Sequence, residues 1–285
     1  MYGDDQANEL GQIMKRFPEF DVIIGGHIHT VVHDRRKQEI LYTQAGYHGN
    51  WLGRVDIKYD TVLDRITEKE SEVLKIGDQY VFHDPLFKNL EEDLKRTQPY
   101  LEKEAGFTET PLYVQSRFRG QSDQQQLICE AIAEETRAHI IFHGRMGERD
   151  IEKGILFEKD IWNIVPYENQ IGILRLNARE IKEILEENAD NYKGYRFIGA
   201  YGLRYDLHIN EEPGFRIHNI RLMNSRKLHP KKKFEVAFNS YVLASGGRRF
   251  LTLRKIADRP TSRLRWVKTR TRDAVRNYML KNIVR

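Results

Sequence analysis

The chain has 285 residues, of which 40% are hydrophobic and 31% charged, with a formal net charge of +5. That composition supports an ordinary buried core in one or two domains and excludes a compositionally disordered chain. No apolar run approaches the ~20 residues needed to span a bilayer, and the one cysteine, Cys129, excludes an internal disulfide and a Cys-rich zinc site.

The opening MYGDDQANEL has no basic segment followed by an apolar one, so no secretory leader is expected there. Residues 21–24 form a short apolar run that stops at Gly25-Gly26, the pattern of a buried strand feeding a loop. Residues 40–44 and 51–60 read as further strands. In the second, Val55, Ile57 and Tyr59 alternate with Asp56, Lys58 and Asp60, as expected of a half-buried strand. Strands continue to about Ile76. Asp84-Pro85 then opens a charged stretch with Leu86, Leu90 and Leu94 at four-residue spacing through Leu101, which predicts an amphipathic helix connecting two domains.

A second unit begins near Pro111. Helices are expected over 124–137, where Leu127, Ile128, Ala131 and Ile132 share a face, and over 179–191, where Ile181, Ile184 and Leu185 do. Cys129 lies inside the first apolar face and reads as a small buried hydrophobe. Strand-like segments lie at 138–142, 171–176, 203–209, 216–223 and 234–238. Helices mixed irregularly with strands predict a mixed α/β, α+β-like fold. From Thr261 onward eight Lys/Arg face one acid, Asp273. Such a tail attracts nucleic acid or an acidic surface, but no nucleic-acid-binding motif accompanies it. The expectation is a terminal helix packed by Trp266, Val275, Tyr278 and Leu280 with a solvated basic face.

The sharpest chemical signal is Gly25-Gly26-His27-Ile28-His29-Thr30. Two imidazoles one residue apart, in a glycine-enabled loop after a buried strand, suit one shared ion or two adjacent ions; on spacing alone a surface loop remains the alternative. The loop resembles the last metal motif of calcineurin-like metallophosphatases. Gln44-Ala45-Gly46-Tyr47 and Trp51-Leu52-Gly53-Arg54-Val55-Asp56-Ile57 resemble its continuation in the 5'-nucleotidase and 2',3'-cyclic-nucleotide phosphodiesterase family.

Downstream motifs resemble the 5'-nucleotidase C-terminal domain in order: 126–132 its first helix, Pro166-Tyr167-Glu168-Asn169 its Pro-aromatic-x-Asn turn, Tyr201-Gly202-Leu203-Arg204-Tyr205 its Ser-Gly-Leu-Arg-Tyr segment. Phe238-Asn239-Ser240-Tyr241 with Ala244-Ser245-Gly246-Gly247 is similar to its base-binding loop. The resemblance implies a remnant of the metallophosphatase sandwich over 1–76, a linker helix over 77–107 and a C-terminal substrate-binding domain over 108–285. It also implies hydrolysis of a nucleotide phosphomonoester or cyclic phosphodiester by water activated on two divalent ions, zinc, manganese or similar, with His27 and His29 as ligands.

By the same resemblance Phe197 and Tyr241 stack a nucleobase, Asn169, Gly246 and Gly247 line its site, and Arg145 or Arg149 holds the phosphate. From the residues alone, Phe197 reads as core, Tyr241 as a strand-end packing group and the arginines as solvated. The expected ligand is a nucleotide or nucleoside, and the expected location periplasmic, secreted or cell-surface. Nucleic acid is not an expected partner.

Two features depart from the family pattern. The loop 143–149 lacks the usual consecutive glycines followed by Ile-Arg, and Arg248-Arg249 stands where an acid or glycine is usual, which would shift specificity towards an anionic or non-nucleotide ligand. The family's Asp-x-His, bridging Asp, Asn-His and further His motifs are absent before His27. The expectation is therefore an N-terminally truncated phosphoesterase with an incomplete metal site and no assigned catalytic residue, with a non-catalytic nucleotide- or phosphate-binding module as the alternative.

Overall fold

The computed structural model describes residues 10–80, 84–115, 121–192, 194 and 197–282. Asp4, Asp5 and Arg285 lie outside the described residues, as do the side chains of Leu86 and Arg248. The chain divides into two units, Met1–Glu91 and Glu92–Arg285.

The first unit contains α1 (Leu10–Arg16), β1 (Val22–Gly25), β2 (Val31–Lys37), β3 (Ile40–Ala45), β4 (Trp51–Asp60) and β5 (Arg65–Lys75). β3 is central, with β1 parallel on one side and β2 antiparallel on the other. The core is small: Met14 of α1 packs with Ile40 and Tyr42 of β3. β4 and β5 form a two-stranded ribbon. Its expected half-buried face is only partly present. Val73 at the base is buried and Val55 half-buried, but Ile57 and Tyr59 are 49% and 53% exposed. Strands of 10 and 11 residues reach beyond the small core they spring from, so alternation towards the tip has nothing to pack against.

α2 (Asp84–Leu101) falls on the expected helix and crosses the division between the units, with Leu90 and Leu94 exposed. The second unit continues with β6 (Glu104–Thr108), α3 (Asp123–Thr136), β7 (Ile140–His143), β8 (Gly154–Phe157), α4 (Glu158–Ile164), β9 (Gln170–Leu176), α5 (Ala178–Ala189) and β10 (Gly199–Tyr201). It ends with β11 (Leu203–Leu207), β12 (Ile217–Leu222), β13 (Phe234–Asn239), α6 (Ser240–Leu243), α7 (Leu251–Ala257), β14 (Arg265–Arg270) and α8 (Thr271–Asn282). β6 pairs with β8, so the chain has already entered this unit at Glu104, inside the stretch expected to be linker.

A five-stranded sheet of order β10-β7-β13-β9-β14 forms the centre, with β7 and β13 parallel. Its middle strands are covered on both faces and read as nearly continuous apolar runs. Ile141, Ala237 and Ile173 pack with α3 and α8, while Ile140, Phe142, Val236 and Phe238 pack with α5 and α7. Phe142 and Phe238 stack at 5.2 Å between centroids, both fully buried. The helices carry their own start signals. The Ser122 hydroxyl accepts from Gln125 N at 3.2 Å to begin α3, and Asn177 and Glu180 form a reciprocal capping box for α5. The fold is mixed α/β, as expected.

The tail departs from the expected single helix. Residues 265–270 form β14 on the edge of the central sheet, leaving Trp266 half exposed, and only then does α8 begin. Nor is the basic face simply solvated. Arg272 is buried, donating to the carbonyls of Val165 (2.9 Å) and Pro166 (3.0 Å) and to Glu168 (3.0 Å), with its guanidinium 3.6 Å from the Trp162 ring centroid. Arg276 forks onto Glu158 at 2.7 and 3.0 Å, and Lys281 pairs with Glu134. Val275 is buried and Leu280 exposed. Cys129 is buried, and burial pushes its thiol pKa up, consistent with a packing role.

Candidate functional site

In the first unit, β1 delivers the loop carrying His27 and His29. Both residues adopt left-handed backbone, φ 71° and 54°, a conformation that costs a non-glycine residue about 1–2 kcal/mol. β3 holds the base of this turn. A Cβ at Gly25 would overlap the Tyr42 ring; the Tyr42 hydroxyl donates to Gln44 Oε1 at 2.8 Å, and Gln44 Nε2 donates to the Thr30 carbonyl at 2.8 Å. Both histidines are exposed. His29 stacks on Tyr47 at 4.9 Å, with His48 6.0 Å away.

His29 and His48 thus come from two different loops, after β1 and after β3. Among the described residues, however, no group of three or more metal-ligating side chains within a common reach includes His27 or His29.

In the second unit, strand register gathers the other candidates. β7 and β13 run parallel, so their carboxyl ends lie side by side: His143 leads into the loop carrying Arg145 and Arg149, and Asn239 leads into Ser240-Tyr241. β10 is antiparallel to β7 with Gly199 opposite His143, which brings Phe197 to the same end of the sheet. β9 is antiparallel to β13 with Ile171 opposite Asn239, which brings Asn169 there too. In open α/β sheets, ligands are commonly held beyond the carboxyl ends of parallel strands.

Buried polar side chains tie these segments together. His143 is fully enclosed, and burial pushes its pKa down to about 4. The neutral ring donates from Nδ1 to the Gly144 carbonyl at 2.6 Å and accepts at Nε2 from Asn239 Nδ2 at 3.2 Å. Asn239 Oδ1 in turn accepts from Val242 N at 2.8 Å and caps α6. Gln125 Nε2 donates to the His143 carbonyl, while Gln124 Nε2 bridges the carbonyls of Leu112 (3.1 Å) and Arg149 (2.7 Å). Asn188 makes two bonds to the Ile198 backbone, 2.7 and 3.1 Å, and so fixes the segment after Phe197.

The expected site residues take different positions in this frame. Tyr241 is 44% exposed; Gly246 lies against its ring so closely that a Cβ would overlap it, and the Arg249 guanidinium sits 5.4 Å from its centroid. Gly247 has φ +67°, which the turn requires. Phe197 is 9% exposed and meets Tyr192 edge to face at 5.8 Å. Asn169 works mainly as a clamp: Ser240 Oγ donates to its Oδ1 at 3.2 Å, and its carbonyl accepts from Thr271 N at 3.0 Å. Arg145 is half-buried and donates to Gln115 Oε1 at 3.2 Å; Arg149 is exposed.

Sequence reading did not assign His143, Asn239, Gln124, Gln125, Asn188 or Arg272. The available signal was polarity at buried positions: Gln124 and Gln125 open the apolar face of a helix, and Asn239 ends an apolar strand.

The family model described as 5'-nucleotidase, C-terminal domain, matches residues 104–255, beginning at the first residue of β6. The trifunctional nucleotide phosphoesterase protein YfkN of Bacillus subtilis is 26% identical over 259 residues, 82% of this chain and 17% of YfkN. In structure the chain is similar to a candidate 5'-nucleotidase of Staphylococcus aureus solved with alpha-ketoglutarate (TM-score 0.73, 17% identity, 97% of this chain and 56% of that one). It is also similar to a 5'-nucleotidase precursor of Thermus thermophilus (TM-score 0.59, 18% identity, 92% and 57%). The chain thus spans less than two thirds of each of these relatives. With more than half of its residues matched, the chain belongs to the 5'-nucleotidase family through that family's C-terminal domain.

Proposed function

We propose that the second unit is the substrate-recognition part of a nucleotide phosphoesterase acting on a 5'-nucleotide or a cyclic nucleotide. The observation that carries this reading is the gathering of Phe197, Asn169, the Arg145–Arg149 loop and Tyr241 at one end of the central sheet. β10 and β13 lie two strand spacings apart, about 10 Å, which leaves room for a flat base between groups at their ends. Tyr241 offers a partly open aromatic face for stacking, and Arg145 or Arg149 supplies the guanidinium for the phosphate. Arg249 beside Tyr241 adds a cation where the ligand enters, which favours nucleotides over nucleosides.

His27 and His29 are proposed as two ligands of a divalent-metal centre whose remaining ligands lie outside the described residues. The strained backbone at both histidines supports a functional role. Kinship with a 5'-nucleotidase precursor extends the proposal to action outside the cytoplasm. Among the described residues no helix is long and apolar enough to cross a membrane.

A second reading, a nucleotide- or phosphate-binding module without turnover, is favoured because, among the described residues, neither histidine belongs to a group of three metal-ligating atoms within common reach. Phosphate release from AMP and from 2',3'-cyclic AMP, assayed with and without manganese, separates the two. Metal-dependent release abolished by His27→Ala/His29→Ala supports the enzyme. Nucleotide binding with no release supports the module. Neither binding nor release by the folded chain refutes both.

A further inference from the structure

We infer that His208, Glu211 and His218 form a binding site for one divalent transition-metal ion of the zinc class, distinct from the His27–His29 loop. The three residues belong to the β11–β12 hairpin. Asp206 pairs with His218 and Leu207 with Ile217, and His208 N donates to the Arg216 carbonyl at 2.8 Å, so the hairpin continues past the strand ends. His208 and His218 lie diagonally across it on one face, with ring centroids 4.6 Å apart. The connecting turn folds back through Glu211 N to the His208 carbonyl at 3.0 Å, which sets the Glu211 carboxylate between the rings. One oxygen meets His208 Nδ1 at 3.0 Å and the other meets His218 Nε2 at 2.7 Å. One ligand atom from each residue lies within 4.8 Å of the others.

Two imidazole nitrogens and a carboxylate oxygen are the donor set of zinc and its neighbours, while calcium and magnesium take oxygen. A tetrahedral ion about 2.0–2.2 Å from each donor holds the donors about 3.4 Å apart, so the carboxylate contacts of 3.0 and 2.7 Å would open by roughly 0.4–0.7 Å. On binding, a ring proton now directed at the carboxylate moves to the ring's other nitrogen, leaving the lone pair for the ion. The turn is already held from behind. Glu186 of α5 accepts from the backbone N–H of Gly214 (3.1 Å), Arg216 (3.2 Å) and Ile217 (2.8 Å). The ion would staple turn 208–216 to its own hairpin, with water completing the coordination.

The test is isothermal titration of the full chain, freed of metal by chelation, with zinc chloride, alongside cobalt(II) visible absorption. The His27→Ala/His29→Ala chain is expected to retain one zinc equivalent and to give cobalt d–d bands. Adding His218→Ala should remove both, and Glu211→Gln, which preserves size, should weaken zinc at least tenfold. Far-ultraviolet circular dichroism establishes that each variant folds. Zinc uptake unchanged by His218→Ala and Glu211→Gln, or no uptake by the chain lacking His27 and His29, overturns the inference.

Discussion

His143 makes the stability of the second unit depend on pH with a sign and size that follow from its burial. Its ring is enclosed, and burial lowers its pKa from 6.5 to about 4. Between those values the unfolded chain binds a proton that the folded chain refuses, so stability falls as pH drops through the window and levels off below about 4. The fall from 6.5 to about 4 corresponds to about 3 kcal/mol at about 1.4 kcal/mol per pH unit, of which about 2.5 kcal/mol is already lost at pH 4.5.

His143→Gln isolates this contribution. It keeps an acceptor for Asn239 and loses the donation to the Gly144 carbonyl, costing about 1–3 kcal/mol at pH 7.5. At pH 4.5 the gap between parent and variant should shrink by about 2.5 kcal/mol, which leaves the variant between about 0.5 kcal/mol less and about 1.5 kcal/mol more stable than its parent. Urea unfolding followed by tryptophan fluorescence reads this directly. In a Trp51→Phe background the remaining tryptophans, Trp162 and Trp266, both report the second unit. A gap that does not change between the two pH values refutes the neutral, buried His143.

Asn188→Ala leaves the N–H and carbonyl of Ile198 unpaired in a buried place, and should lower unfolding free energy in urea by about 2–4 kcal/mol. Gly202→Ala places a Cβ onto the His139 carbonyl at φ +83°, so it should cost more than about 3 kcal/mol and lower the melting temperature measured by calorimetry. Gly246→Ala displaces the Tyr241 ring; AMP affinity by calorimetric titration should fall at least tenfold while the urea midpoint of the second unit moves little.

Elements whose own residues decide them were legible in sequence. α2 follows from four-residue leucine spacing, β4 from alternation, and β7 and β13 from short apolar runs. The tail was not, because Arg265, Lys268 and Arg270 look like a solvated helix face until β9 supplies an edge for Trp266 and its neighbours to pair with. Loop 143–149 and Tyr241 could be named from motifs, but their proximity depends on β7 lying parallel to β13, a pairing across nearly a hundred residues that no local pattern encodes. The residues that hold the site together, His143, Asn239 and Asn188, were missed for a related reason. A polar side chain at a strand or helix end announces itself as structural only when its buried partners are known.

The most direct test of the central claim is calorimetric titration of the full chain with AMP, repeated on Tyr241→Ala. Saturable binding at one site, weakened tenfold or more by Tyr241→Ala without loss of fold, is the predicted result. A folded chain that shows no saturable AMP binding, or binds it equally well without Tyr241, contradicts the assignment of this sheet end to nucleotide recognition.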